Sequence, residues 1–175
     1  LCYQNLYAFR LLGKMDFRWN KVYENALVLL QGGYISDTVP LYQTRKNLSA
    51  DTYETEEINS IESLLTVLHL AEVGEVQPQT LQWLKRQVAE GALFSRYDKE
   101  SGTAATDFQS TAAFAISAII GAKTGDSLLY RNAVQRMNLY QVREEPDEIF
   151  GAYGDAQSKV VYSFDNLYAL LAFCY

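Results

Sequence analysis

Polar and apolar residues follow a pattern that occurs four times along the chain. Each copy opens with an aromatic or aliphatic residue, continues with two polar residues and then becomes mainly apolar. The four copies are residues 3–8 (YQNLYA), 58–63 (INSIES), 108–113 (FQSTAA) and 164–169 (FDNLYA). Their starting points lie 50 to 56 residues apart, and a unit that recurs at this length predicts an array of helical hairpins.

Two kinds of helix alternate within this array. The first helix of a unit is apolar on nearly every face, as in 58–74 and 108–121, which predicts burial on several sides. The second is amphipathic, with apolar residues at i, i+3 and i+4 spacing in 17–31, 78–90 and 127–142. The pattern therefore predicts an all-α chain of about seven helices. We expect the N-terminal ends of the inner helices to lie together on one rim.

The segments between the hairpins are long for helix connections, which marks them as candidate functional loops. In the first of them, residues 38–55 alternate apolar and polar positions around a polar turn, so a short β-hairpin is expected there. The loops also carry tyrosines that would line the rim and stack against sugar rings. These are Tyr34, Tyr53, Tyr97 and Tyr162.

Helical hairpins either stack into an open solenoid or close into an α/α toroid. Because the first helices are apolar on nearly every face, the toroid is favoured, since solenoid helices are usually half exposed. Residues 1–175 are expected to form a single hairpin-repeat domain. A closed toroid needs about six hairpins, whereas three and a half are visible here, so a partial barrel is predicted. The remainder would come from another part of the polypeptide or from a second copy.

Composition narrows the choice of ligands. The chain has 175 residues, a net charge of −6 and a pI near 4.8, and lacks a basic cluster. This argues against nucleic acid and anionic membranes as partners, and no apolar run is long enough to insert into a membrane. With one histidine, His69, and two distant cysteines, Cys2 and Cys174, neither a zinc site nor another metal or cofactor is predicted.

Two segments resemble glycoside hydrolase family 8. Residues 58–62 (INSIE), running to 72–74 (EVG), resemble the family segment Tyr-Asp-Ala-x-Arg that opens an inner helix ending near a glycine. Residues 162–171 (YSFDNLYALL) resemble the last inner helix of those enzymes. The chain is similar above all to family 8-like hydrolases of Gram-positive bacteria. The resemblance implies the C-terminal half of an (α/α)6 barrel and a location outside the cell or at its surface.

The family hydrolyses β-linked polysaccharides with inversion. It uses a glutamic acid from the N-terminal half of the barrel as general acid and the aspartate of the quoted segment as base. In this chain the base position holds Asn59, the arginine position holds Glu62, and the segment that carries the acid is absent. The resemblance therefore implies the fold more directly than it implies the reaction.

The residues themselves offer two candidate catalytic carboxyls. Inverting hydrolysis needs two carboxyl groups about 6.5–9.5 Å apart. Asp165 is second in its repeat, so it could serve as base, or it or Ser163 could cap its own helix. Glu62 lies in an apolar helix one turn beyond Asn59, where burial would suit a general acid. Alternatively, Glu62 is a structural charge held by a neighbouring arginine or amide.

Other polar residues complete the predicted site. A run of glutamates, Glu54, Glu56 and Glu57, is either a solvated first turn or brings one carboxyl to the rim. The amides at the helix openings would bind sugar hydroxyls or, alternatively, cap helices. The amides are Gln4, Asn59, Gln109 and Asn166.

Three classes of function follow from these residues. The first is a glycoside hydrolase that cleaves a polysaccharide with two carboxyls, and this is the favoured hypothesis. The second is an inactive toroid that binds glycans, and the third is a helical scaffold that binds protein. Fold alone does not separate them. Oligo- or polysaccharide is the expected partner in the first two.

Overall fold

The computed structural model describes residues 1–175, which pack as two compact units. Unit 1 comprises Leu1–Trp83 and Phe94–Phe108, and unit 2 comprises Leu84–Leu93 and Gln109–Tyr175. The seven helices are α1 (Leu6–Gly13), α2 (Arg18–Gly32), α3 (Ser60–Ala71), α4 (Pro78–Glu90), α5 (Thr111–Thr124), α6 (Ser127–Met137) and α7 (Ser163–Ala172). The short strands are β1 (Arg45–Asn47), β2 (Thr52–Glu54), β3 (Glu57–Asn59), β4 (Arg96–Asp98), β5 (Gly154–Asp155) and β6 (Val160–Val161).

The predicted number of helices is confirmed, and so is the hairpin within residues 38–55, where β1 pairs with β2. Two further strand pairs, β3 with β4 and β5 with β6, were not predicted. They contain three and two residues per strand, which is too short to show a period of two in the sequence. The β3–β4 pair also joins segments 39 residues apart, beyond the reach of any local pattern.

The contrast between inner and outer helices is clearest in the α5–α6 hairpin of unit 2. Every residue of α5 from Thr111 to Gly121 is buried, as an inner helix requires. In α6 the buried residues are Leu129, Ala133 and Met137, which are spaced four apart on one face. The prediction of an all-round apolar inner helix and an amphipathic outer helix is therefore confirmed for this hairpin.

Two of the predicted inner helices differ from that expectation. In α1 the buried residue is Leu6, and in α7 the buried residues are Ala169 and Ala172. The rest of their apolar side chains lie partly or largely in solvent. The prediction that all four inner helices are buried on nearly every face is wrong for α1 and α7, because helix packing covers them on one side.

The helix ends carry recognisable capping residues. Asp126 caps α6 by accepting a hydrogen bond from the Leu129 N–H at 3.0 Å. Gly125 follows α5 with φ of +72°, a left-handed conformation that favours glycine. Helices α1, α3 and α5 begin two to three residues later than the repeat predicted, because Asn5, Asn59 and Ser110 serve as their N-caps. Helix α7 begins one residue earlier than its repeat.

Both cysteines are free thiols, Cys2 buried and Cys174 exposed. No group of three or more histidine, cysteine or carboxylate side chains is placed to hold a metal ion. None of the helices has the length and hydropathy needed to cross a membrane.

Candidate functional site

In unit 1, the start of α3 brings Asn59 and Glu62 together. Strand β3 delivers the chain to the helix, and the Asn59 side-chain oxygen accepts a hydrogen bond from the Glu62 N–H at 3.3 Å. The Ser60 hydroxyl fixes the same turn by donating to the Phe94 carbonyl at 2.7 Å. Asn59 is therefore an N-cap, as the structural interpretation of the amides predicted.

Glu62 is the third residue of α3, and its carboxylate has no hydrogen bond or ion pair. The expectation that this carboxyl is buried is wrong, since the residue is only partly buried. Glu62 lies in the first turn of α3, near the end of the helix, and the apolar residues that pack into the core lie in the following turns. They therefore do not cover its side chain. The alternative, in which an arginine or an amide side chain holds the carboxylate, is not found either. Glu62 is thus a partly exposed carboxylate at a helix N-terminus, free to contact a ligand.

Three of the predicted tyrosines lie in unit 1, and each has a structural contact. The Tyr34 hydroxyl donates to Asp37 at 3.1 Å, and burial raises the pKa of Tyr34 to about 12. The Tyr53 hydroxyl donates to the Leu29 carbonyl at 2.9 Å, and the Lys46 ammonium lies 4.8 Å from the centre of its ring. Both residues are partly buried.

Tyr97 does not offer a ring face to a ligand. It is 2% exposed, and its ring packs edge-on against Trp83 at 5.2 Å between centroids. Its hydroxyl accepts a hydrogen bond from the Phe94 N–H at 2.8 Å, and burial raises the pKa of Tyr97 to about 12. The expected stacking surface is therefore a core residue, because Tyr97 points inward from β4, between exposed Arg96 and partly buried Asp98.

Gln4 precedes α1 and is partly buried. Its backbone N–H donates to the Leu1 carbonyl at 3.0 Å, while the next residue, Asn5, caps α1 by accepting from the Ala8 N–H at 2.9 Å. The side chain of Gln4 makes no hydrogen bond, so its amide remains available.

In unit 2, Asp165 lies in the first turn of α7 but caps α5. Its Oδ1 accepts hydrogen bonds from the Ser110 hydroxyl and from the Ala112 N–H, both at 2.7 Å. The residue before α7 is Tyr162, and no side chain caps this helix. The expectation that Asp165 or Ser163 caps α7 is wrong, because the side chain of Asp165 reaches the neighbouring helix instead. Its Oδ2 makes no hydrogen bond within the protein.

The two predicted amides of unit 2 both make hydrogen bonds within the protein. The Gln109 side-chain nitrogen donates to the Gly91 carbonyl and its oxygen accepts from the Tyr140 hydroxyl, both at 2.6 Å. The Asn166 side-chain oxygen accepts from the Tyr153 N–H at 2.9 Å, and its nitrogen donates to the Tyr153 carbonyl at 2.8 Å. Both amides hold loops in place. Asn166 uses both of its N–H groups, since its nitrogen also donates to the Tyr162 carbonyl at 3.0 Å, whereas Gln109 keeps one N–H for a ligand.

Tyr162 is the predicted aromatic residue of unit 2, and it is 61% exposed. Of the four predicted tyrosines it offers the most ring surface. The repeat placed Ser110 at a helix opening but gave no signal for its bond to Asp165, which joins residues 55 positions apart. The hydrogen bonds of Gln109 with Tyr140 and of Asn166 with Tyr153 were not predicted either, and they join residues 31 and 13 positions apart.

Comparison with known proteins gives the class of fold. The chain forms part of a helical, α/α-toroid-type fold that resembles a glycoside hydrolase. No protein-family profile matches it. A structure described as a novel alpha-amylase from Clostridium perfringens superposes with a TM-score of 0.92 and 31% identity, covering 98% of this chain and 52% of that one.

Two other bacterial proteins are similar. A Bacillus subtilis (strain 168) protein named "Putative lipoprotein YdaJ" is 28% identical over 123 residues, which cover 69% of this chain and 33% of that protein. The structure of PssZ from Listeria monocytogenes superposes with a TM-score of 0.54 and 13% identity, covering 96% of this chain and 66% of PssZ, and shows the fold alone. The chain thus spans one third of the Bacillus protein and about half of the Clostridium one.

Proposed function

We propose that this protein is a glycoside hydrolase that acts on a polysaccharide. The observation that carries the proposal is the close match, at a TM-score of 0.92 over 98% of the chain, to a Clostridium protein described as an alpha-amylase. The resemblance of residues 58–62 to the family 8 segment supports the same class. The two similarities imply different glycosidic linkages in the substrate, since an alpha-amylase cleaves α-linked glucan and family 8 acts on β-linked polymers. A test therefore needs both polymers.

Glu62 and Asp165 are the proposed acid and base of this chain. Hydrolysis of a glycosidic bond needs one carboxyl that protonates the leaving oxygen and another that removes a proton from water. As the acid, Glu62 would be in its protonated form and give that proton to the leaving oxygen as the glycosidic C–O bond breaks. Its side chain is partly exposed and makes no hydrogen bond within the protein, so it can approach a sugar oxygen. Asp165 is oriented by two hydrogen bonds to Oδ1, which leaves Oδ2 for a water molecule. Because Oδ1 is held by the protein, the orientation of the free Oδ2 is fixed as well.

The proposed experiment replaces each carboxyl in the full-length protein and measures reducing ends released from starch, mixed-linkage β-glucan and a bacterial exopolysaccharide. Glu62→Gln and Asp165→Asn keep the size of the side chain, and an amide oxygen can still accept the bonds that Asp165 makes. Loss of a true acid or base should lower turnover by about 10² to 10⁴.

Glu72→Gln serves as the control, because its carboxylate lies at the other end of α3, beside His69. Full activity in both Glu62→Gln and Asp165→Asn would remove these residues from the mechanism. A parent protein that binds these polymers without cleaving any of them would instead be the inactive glycan-binding toroid.

The exposed face of α7 supports a partner for the chain. Large apolar side chains on and just after this helix are 43–64% exposed. They are Phe164, Leu167, Leu170, Leu171, Phe173 and Tyr175. Monomeric proteins rarely leave a contiguous apolar patch of this kind in water. We therefore propose that another part of the barrel or a second copy covers it, which light scattering on the purified protein would reveal as a dimer or larger species in the second case.

A location outside the cell or at its surface is the third part of the proposal. It rests on the name of the Bacillus relative, which describes a lipoprotein, and on the size of polysaccharides, which a surface enzyme meets directly. Fractionation of the producing cells followed by immunoblotting tests it. Recovery of the protein with the cytoplasm would contradict it.

A further inference from the structure

Two strand pairs of unit 1 border an open polar pocket that the candidate site does not use. The pocket has a volume of about 360 Å³ and lies between the β1–β2 pair and the β3–β4 pair. Its lining consists of Thr44, Arg45, Glu54, Thr55, Glu57 and Arg96, together with Glu56. We call it the strand pocket. Its volume lies within the range of small-molecule sites, about 300 to 1,000 Å³.

Each strand pair contributes one arginine and one glutamate to the strand pocket. Arg45 lies directly opposite Glu54 in the β1–β2 register, and their side chains are 3.2 Å apart. Arg96 and Glu57 lie diagonally across β4 and β3, and their side chains are also 3.2 Å apart. In β3 and β4 the alternate residues Ile58 and Tyr97 are buried, which turns Glu57 and Arg96 outward.

The connection between β2 and β3 lies along the strand pocket. The Thr55 hydroxyl donates to the Glu57 carbonyl at 2.8 Å and lies 3.3 Å from the hydroxyl of Thr44. The Lys99 ammonium donates to the Thr55 carbonyl at 3.1 Å, which ties this turn to the loop after β4. The arginine and glutamate pairs are therefore held by two short ladders and a cross-linked connection rather than by one flexible loop.

The chemistry of the lining suits hydroxyl groups. A guanidinium has five N–H donors, and each arginine uses one of them in its ion pair. The Glu56 carboxylate makes no hydrogen bond, so acceptors remain as well. A sugar hydroxyl donates and accepts at the same time, and adjacent hydroxyls match neighbouring donors and acceptors. Three glutamates against two arginines leave the pocket slightly negative, which disfavours uronates and phosphorylated sugars.

The strand pocket also adjoins the candidate site. Arg96 is the cross-strand partner of Asn59, the residue that caps α3 and precedes Glu62 by three positions. We propose that the strand pocket binds one uncharged sugar residue of the polysaccharide, next to the unit held at Asn59 and Glu62. This inference rests on the proposed function and adds to it the class of sugar and a second point of attachment.

The experiment measures binding by calorimetry for the full-length protein. The probes are maltohexaose and cellohexaose as neutral sugars, a galacturonate hexamer as anion and a chitosan hexamer as cation. Arg45→Gln and Arg96→Gln remove donors from the strand pocket, and each should weaken binding of the neutral hexamer about tenfold, the usual effect of losing a hydrogen bond to a charged group. Lys21→Gln is the matched control, because it breaks an equally exposed ion pair, with Glu24, on α2.

The outcomes separate this inference from the proposed function. Neutral-sugar binding that is unchanged in both arginine variants would overturn the strand pocket while leaving the hydrolase intact. Tighter binding of the galacturonate or chitosan hexamer by the parent protein would overturn the uncharged ligand. A parent that binds none of the four probes would overturn both proposals. Circular dichroism and melting temperatures of the variants identify any loss of binding that comes from unfolding.

Discussion

Helices α5 and α7 open with copies of the same repeat, an aromatic residue followed by two polar ones, yet they lie in different surroundings. Residues 108–113 read FQSTAA and residues 164–169 read FDNLYA. Every residue of α5 from Thr111 to Gly121 is buried, whereas in α7 Leu167 is 63% and Leu170 is 64% exposed. Apolar sequence therefore encodes a surface that can be buried. Whether it is buried depends on how many neighbours pack around the helix.

The largest expected difference comes from truncating one apolar side chain in each helix. Phe114 is 1% exposed and stacks on Tyr140 with 6.1 Å between ring centroids, so Phe114→Ala should lower the free energy of unfolding by about 3–5 kcal/mol. Leu170→Ala should lower it by less than about 1 kcal/mol, since Leu170 loses little burial. Urea unfolding followed by circular dichroism measures both. An equal cost for the two variants would show that the α7 face is covered in solution.

A smaller loss of stability is expected when the glycine at the α5–α6 contact, Gly121, is replaced by alanine. A Cβ at Gly121 would lie 2.7 Å from the backbone nitrogen of Tyr130, and a backbone atom moves only with its helix. Gly121→Ala should therefore cost about 1–3 kcal/mol of unfolding free energy by overpacking.

The matched control for Gly121→Ala is Gly13→Ala, also in a helix. A Cβ at Gly13 would meet the side-chain oxygen of Asn20, which can rotate away. Alanine is moreover the better helix former, so this change should be nearly neutral or stabilising. Differential scanning calorimetry distinguishes the two, and a neutral Gly121→Ala would mean that α5 and α6 are less closely packed than the structure shows.

The sequence predicted the elements better than it predicted the contacts between them. Segment 78–90 was predicted to its last residue, because Pro78 opens α4 and Gly91, with φ of +69°, follows its end. The pairing of β3 with β4 and the bond between Ser110 and Asp165 join residues about 40 and 55 positions apart. The spacing of apolar residues within one helix or strand does not indicate which distant segment will pack against it.

The same reasoning explains the outcome for the candidate site. A polar residue at the start of an apolar helix is a correct sign of a cap or a ligand contact, and Asn59 and Asp165 are both caps. Which helix Asp165 caps depends on packing between α5 and α7. Burial of Tyr97 depends on β4, which pairs with a distant strand. Glu62 lies at the open end of its helix and is therefore only partly buried, which the apolar sequence around it did not predict.

The smallest of the three effects on stability concerns the one side chain of α7 that caps α5. Asp165→Ala removes an acceptor from the Ala112 N–H, and the Ser110 hydroxyl, which lies 3.2 Å from the same N–H, compensates in part. The loss should be about 1 kcal/mol, as for other N-caps. Asp165→Asn should cost less, because its amide oxygen still accepts these hydrogen bonds.

Ser163→Ala, which changes an exposed residue of the same turn, is the control. Thermal unfolding of the three variants gives the order, and an Asp165→Ala variant as stable as Ser163→Ala would mean that Asp165 does not hold α7 to the start of α5.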